Sequence, residues 1–365
     1  MTMRRVPIPF GKVPDELVAE AVTAIREGKI VALPTETVYG LAADPDDPAS
    51  AERVRALKDR PEGLVFTHHI ASPADLAQHA PSVPERVQQL CDRYWPGPLT
   101  MILPTDDGQT IGLRVPSDDF TAAVIRAFGR SLYLTSINRS GEPPLTTPDA
   151  IEAAYGEQID ILFDAGDPPL GQASTVARWV PSALDPELGE LEILREGTLT
   201  ADDLHSVTSR RFLFVCTGNT CRSPLAEALA RRAAAKRLGT SDERVAAHGL
   251  VFESAGVAAW PGEPASEGSI AAAQEIDLSL AAHQTSPLTA ERLRAAERIY
   301  CLGPSHLVAA RAMLPEAADR IELLDPSGSG IPDPFGHDLG AYQKTRDAIA
   351  RAVDARMAEI VPDPA

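Results

Sequence analysis

Residues Cys216 to Pro224 read CTGNTCRSP, after the apolar run Phe212 to Val215 and before the helix-like stretch Leu225 to Lys236. The order is strand, loop with a thiol, helix. A helix start presents unpaired N–H groups and a partial positive charge, so the loop suits a phosphate-sized anion. A free thiol, with a pKa of about 8.5, is mostly protonated at neutral pH and needs help to act as a nucleophile. The N–H groups of Thr217, Gly218, Asn219, Thr220, Cys221 and Arg222 and the Arg222 guanidinium all favour the thiolate, and Ser223 can donate to the sulfur. Arg222 can hold two phosphoryl oxygens in its planar fork, while Gly218 eases the turn and Asn219 braces it.

Phosphoryl transfer to sulfur also needs an acid for the leaving group. Asp333, between Pro332 and Pro334 in IPDPFGHD, is displayed on a loop and can protonate that group, then act as base for the water that releases the phosphocysteine. No metal is required. Cys221 has two readings, a disulfide partner that protects Cys216 on oxidation or a packing thiol. Cys301, within RIYCL, reads as core.

The spacing of Cys216, Arg222 and Ser223, with ESAGVAAWPGEPAS (253–266) and Asp333-Pro334-Phe335, resembles the low-molecular-weight protein tyrosine phosphatase family over residues 211–360. The resemblance implies Cys216 as nucleophile, Arg222 as phosphate clamp and Asp333 as general acid, with no cofactor. Thr220 stands where tyrosine-specific members carry a bulky aliphatic residue. In this the loop looks like the protein arginine phosphatase branch, which implies phosphoarginine over phosphotyrosine. A thiol-dependent arsenate reductase uses a similar loop but needs a later redox cysteine pair, and only Cys301 follows.

A second set of residues lies upstream. Lys58, Arg60, Arg114 and Arg195 bring four cations to a chain of formal net charge -18, and Ser136, Asn138, Ser140, Ser174 and Thr175 offer hydroxyl and amide groups suited to phosphate, ribose and base. They fall within KIVALPTETVYGLAADP (29–45), ALKDRP (56–61), HHI (68–70), YWPGPLTMIL (94–103), GLRVP (112–116), TSINRSGEPP (135–144), QASTV (172–176) and LREG (194–197). This order resembles the YrdC/Sua5 family of threonylcarbamoyl-AMP synthases over residues 15–200.

The reaction so implied joins L-threonine, bicarbonate and ATP: an N-carboxylated threonine attacks the α-phosphate and releases pyrophosphate. Mg²⁺ enters with the ATP phosphates. Lys58, Arg60, Ser136, Asn138, Ser140, Ser174 and Arg195 are assigned to ATP, and Thr35, His69 and Arg114 to threonine. The product feeds N6-threonylcarbamoyladenosine formation on tRNA, with partner transferase proteins. Two departures from the family pattern stand out: Val65-Phe66 where a Pro-Leu pair is usual, and Ile137 between Ser136 and Asn138, which would narrow the nucleotide pocket. They leave open a regulatory nucleotide- or RNA-binding module without synthesis.

The elements that must position these groups divide the chain in two. Its 365 residues, 44% hydrophobic and 24% charged, fit a globular protein of two domains. The turn-rich PSALDPELGE (181–190) and the polar segment after Leu194 place one domain at 10–204 and the other at 205–365. Strand-like runs at 30–33, 99–103, 112–115, 132–135 and 174–177, with helical patterns at 15–27 and 84–94, predict an α/β domain with a mixed, twisted sheet and packed helices. Runs at 212–215, 251–254 and 298–302, alternating with Ala-rich helices, predict a parallel sheet with helices on both faces, the arrangement of the low-molecular-weight phosphatase fold.

With so acidic a chain, bulk nucleic acid is repelled and any RNA contact needs a local basic patch. Four scattered cysteines make no disulfide scaffold or zinc site, and His68 and His69 have no companion at metal-ligand spacing. No apolar run is long enough to cross a membrane. A reducing cytoplasm is the expected setting.

Overall fold

The computed structural model describes residues 3–61, 66–182 and 186–362, which form two compact units. The first comprises Met1–Pro181 and Leu191–Thr208, the second Ser182–Glu190 and Ser209–Ala365. The helix Ala201–Thr208 crosses the boundary expected at 204 because Leu204, fully buried, anchors it to the first unit's core. Leu188 packs instead into the core of the second.

The larger sheet contains β1 (Arg4–Pro7), β2 (Val31–Leu33), β3 (Gly40–Ala43), β4 (Thr67–His69), β5 (Leu99–Pro104), β6 (Thr110–Arg114), β7 (Leu132–Ser136), β8 (Ile161–Asp164), β9 (Thr175–Val180) and β10 (Glu190–Arg195). Their spatial order is β1-β8-β2-β3-β7-β4-β6-β5-β9-β10, with β1–β8, β2–β8, β4–β6 and β5–β9 parallel and β2–β3, β3–β7, β4–β7 and β5–β6 antiparallel. The sheet is mixed, as the sequence leads one to expect.

Helix Asp15–Arg26 starts with Asp15 and Glu16, which complement the helix dipole, and buries Val18, Val22 and Ile25 against the helix Asp119–Phe128 and the sheet. Asp118 caps that second helix by accepting from Thr121 N at 2.8 Å, and Gly129, at φ 85°, ends it. On the opposite face Tyr39, Leu41, Val54, Ile137 and Leu162 form another cluster. Strands β3 and β4 escape the pattern reading because Gly-Leu-Ala-Ala and Thr-His-His carry no period-two alternation.

The smaller sheet has β11 (Arg210–Cys216), β12 (Leu250–Gly256), β13 (Arg298–Cys301) and β14 (Ile321–Leu323), in the order β12-β11-β13-β14, all parallel. Phe212 and Phe214 point into a core with the helices Arg222–Leu238 and Leu339–Ile360. Leu213 and Val215 face the helices Ala290–Ala295 and Pro304–Met313. Burial on both faces makes β11 a continuous apolar run, each large side chain stabilising by roughly 1.5–3 kcal/mol. The thiol sits at its carboxyl end, where ligands bind in such sheets. Among the described residues no helix is long and apolar enough to cross a membrane.

Candidate functional sites

Strand β11 delivers Cys216 to a loop that must reverse within five residues. Asn219 takes the left-handed conformation at φ 56° and is fully buried. It tolerates that strain because its side chain is tied on both ends: Oδ1 accepts from Ser286 N at 2.7 Å, while Nδ2 donates to Ser223 Oγ at 2.8 Å and Ser254 Oγ at 2.9 Å. Ser254 in turn donates to Glu227 Oε2 at 2.7 Å, and His283 Nε2 donates to the Asn219 carbonyl at 2.8 Å.

These links orient a proton. Because Ser223 Oγ accepts from Asn219, its hydroxyl is free to donate to Cys216 Sγ, 3.0 Å away. Glu227, His283 and Ser286 escaped the sequence reading, since nothing in their spacing ties them to the loop, and Ser254 and Gly256 stood in the 253–266 motif without a role. Gly256 is required by close approach: a Cβ there would lie 2.5 Å from the Thr217 carbonyl oxygen.

Arg222 opens the helix and is buried. Its Nη1 donates to the Ile331 carbonyl at 3.3 Å and its Nη2 to Asp333 Oδ2, joining groups 111 residues apart in the chain. Its Nε is buried without a partner, a donor aimed at no protein atom among the described residues. Cys216, Thr217, Gly218, Thr220, Cys221, Arg222, Asp333 and Phe335 line a pocket of about 200 Å³. Phe335 and Trp260 are both well exposed, Phe335 in the pocket wall itself.

Beneath the loop, His306 Nε2 lies 2.9 Å from Thr217 Oγ1, and burial together with Arg222 pushes its pKa down to about 4, so the ring is neutral at pH 7. Cys221 Sγ donates to Ser266 Oγ at 3.2 Å, and burial pushes the thiols of Cys91 and Cys301 up to about 12, as suits core residues.

In the first unit a cleft of about 500 Å³ brings together Thr35, Arg60, His69, Arg114, Ser136, Ser174 and Arg195. Alternation along the strands explains the convergence: Thr67 and His69 of β4, Gly112 and Arg114 of β6, and Val176 and Arg178 of β9 all line it. Among the described residues, no carboxylate lines it. Arg195 donates to the Ser174 carbonyl from Nε at 3.2 Å and Nη2 at 2.8 Å, and Ser174 Oγ lies 3.0 Å from Thr100 Oγ1. His69 is buried beside Arg114, and its pKa falls to about 3, first through desolvation and then through that guanidinium.

Three residues assigned to ATP are placed otherwise. Lys58 is buried and its Nζ donates to the Ser136 carbonyl, to the Asn138 carbonyl at 2.9 Å and to Asn138 Oδ1 at 3.2 Å; burial and Arg60 lower its pKa to about 8. It clamps the Ser-Ile-Asn turn from behind. Asn138 lines a separate hollow with Arg139 and Tyr155, and Ser140 N donates to the Lys58 carbonyl at 2.9 Å. Thr175 Oγ1 is likewise engaged with the backbone of Gly197 and Leu199.

Ile137 does not narrow the cleft. Its side chain, just past the end of β7, is fully buried in the core cluster with Tyr39 and Leu41. Phe66 lines the cleft under Arg60, whose guanidinium lies 5.1 Å from the ring centroid, whereas Val65 lies outside the described residues.

Residues 23–197 match the Sua5/YciO/YrdC family, described as telomere recombination, and residues 211–363 match the low-molecular-weight phosphotyrosine protein phosphatase family. A threonylcarbamoyl-AMP synthase of Chromohalobacter salexigens is 35% identical over 161 residues, covering 40% of this chain and 85% of the relative. The solved low-molecular-weight protein tyrosine phosphatase of T. tengcongensis is 32% identical, covering 41% of this chain and 99% of its own, with a TM-score of 0.37. The chain belongs to both families. The threonylcarbamoyl-AMP synthase of Pyrococcus abyssi is 36% identical over 174 residues, 44% of this chain, but this chain spans only 51% of that relative's length. The Sua5/YrdC unit thus holds the arginine-lined cleft, and the phosphatase-family unit holds the thiol pocket.

Proposed function

We propose that the chain is a bifunctional enzyme, a threonylcarbamoyl-AMP synthase in its first unit and a cysteine-dependent protein phosphatase in its second. The observation that carries the first half is the convergence of Arg60, Arg114 and Arg195 on one cleft, where no carboxylate is among the described lining residues, in a chain of net charge -18. Such a cleft focuses a positive field on small anions. Arg60, Ser136, Ser174 and Arg195 would hold the ATP phosphates, and Lys58 would act by bracing the turn that carries Ser136. Mg²⁺ would arrive on the phosphates. Arg114, with Thr35 and His69, would receive threonine, whose N-carboxylated form attacks the α-phosphate and displaces pyrophosphate. The product then passes to tRNA-modifying partners. ATP/pyrophosphate exchange that requires both threonine and bicarbonate tests this reading; its absence in folded protein would favour a regulatory nucleotide- or RNA-binding module.

In the second unit Cys216 would attack phosphorus while Arg222 Nε and the loop N–H groups bind the equatorial oxygens. Arg222 Nη2 donates to Asp333 Oδ2, which supports Asp333 as the group that would protonate the leaving group and then activate water. Thr220, in the pocket wall beside Cys216, supports phosphoarginine as substrate, its hydroxyl leaving polar space where an aliphatic side chain would fill the pocket. A panel of phosphoarginine, phosphotyrosine and arsenate tests the class, and Thr220→Ile should shift the ratio of the first two toward phosphotyrosine. An unchanged ratio removes Thr220 as the determinant. A nucleophilic thiol at Cys216 suits a reducing cytoplasm.

A further inference from the structure

Behind the cleft sits a carboxylate that no assignment uses. Glu36 is buried, and its two oxygens face different donors: Oε1 accepts from Arg114 Nη2 at 2.6 Å, and Oε2 accepts from Ser117 N at 3.2 Å. Arg114 is itself held at two further points, donating from Nη2 to Thr37 Oγ1 at 2.9 Å and from Nε to the Gly97 carbonyl at 3.1 Å. No described residue accepts from its Nη1. Thr37 is tied to Thr35, whose Oγ1 lies 2.8 Å from Thr37 Oγ1 and donates to the Val38 carbonyl at 2.6 Å.

Glu36 does not line the cleft, yet it touches the guanidinium that does. A buried guanidinium needs a counter-charge, and Arg195 and His69 on the cleft side supply none.

We infer that Glu36 is a positioning residue for amino-acid recognition: it neutralises Arg114 from behind and fixes the guanidinium so that Nη1 faces the cleft to receive the substrate carboxylate. The inference rests on the synthase reading proposed above. It predicts an effect on threonine and not on ATP, because ATP is held by other cations. In the full-length protein, Glu36→Gln presents an amide to two donors and removes the charge. KM for threonine should rise by on the order of 10-fold, with kcat and KM for ATP within about twofold.

The double variant with Arg114→Lys supplies the decisive control, since a lysine has no fork to orient. If Glu36 acts through Arg114, the two losses are less than multiplicative; if they multiply, or if both substrates' KM values rise together, the inference is overturned. Melting temperatures of each variant separate a loss of fold from a loss of recognition, and Glu36→Asp, keeping the charge, should recover part of the threonine affinity. A wild-type protein that neither binds threonine in calorimetry nor makes the adenylate overturns the synthase reading and this inference with it. An active wild type with unchanged threonine KM in Glu36→Gln overturns this inference alone.

Discussion

Eight of the described residues line the thiol pocket, and six of them run from Cys216 to Arg222, whereas the arginine cleft draws its lining from residues spread between Thr35 and Arg195. The first site is a property of one loop held by a network beneath it. The second is a property of a sheet, assembled from strands that are distant in sequence and meet only through their pairing. A site made from one loop concentrates its chemistry in single atoms; a site shared among several cations distributes it. Single substitutions should therefore act very differently in the two units.

The sharpest way to break that comparison is Cys216→Ser, which should lower phosphatase turnover by roughly 10⁴-fold or more while threonine-dependent adenylate formation stays unchanged. Substantial turnover by the serine variant would falsify the nucleophile assignment. Asp333→Asn comes next: kcat on a phosphoarginine or phosphotyrosine substrate should drop about 100-fold with little change in KM, read from steady-state kinetics with a poor leaving group. An equal rise in KM would show that Asp333 serves binding through Arg222 instead.

In the cleft, Arg195→Met should raise KM for ATP by about 10-fold, since Arg60 continues to meet the phosphates, and leave KM for threonine alone. A complete loss of activity would mean that the load is not shared.

The smallest effect concerns acid stability. His69 in the folded protein has a pKa of about 3, below the ordinary 6.5. As pH falls through 6.5 the unfolded chain takes up a proton that the folded state refuses, so stability falls with pH across that window. Between pH 6.5 and 5 the loss is about 2 kcal/mol. His69→Gln should flatten urea-denaturation midpoints over that range relative to wild type. Asp118, raised to about 6 by burial, works in the opposite sense, so the difference between variant and wild type is the quantity to measure.

Much of the thiol site was legible from spacing. A thiol, a turn residue and an arginine within one strand-loop-helix unit have their geometry set by local backbone, so Cys216, Asn219, Arg222 and Ser223 could be named directly, and Asp333 through its flanking prolines. What could not be read was the support: Ser254 and His283 reach Asn219 across 35 and 64 residues of chain, and Glu227 accepts from Ser254 across 27. In the first unit the sequence motifs named the cations, but Lys58 and Arg60, two residues apart, turn out to do different things. One is buried on backbone carbonyls and the other lines the cleft.

By itself, then, the sequence determined the two-part organisation and the identity of the thiol nucleophile candidate, because these depend on composition, periodicity and short-range spacing, while its motifs carried the resemblance of each part to a family. Tertiary structure decided which cations face a ligand, that Ile137 packs into the core, and that Glu36 stands behind Arg114. Those outcomes follow from strand register and burial, which bring a side chain to one face of a sheet or the other and which no local run of residues encodes.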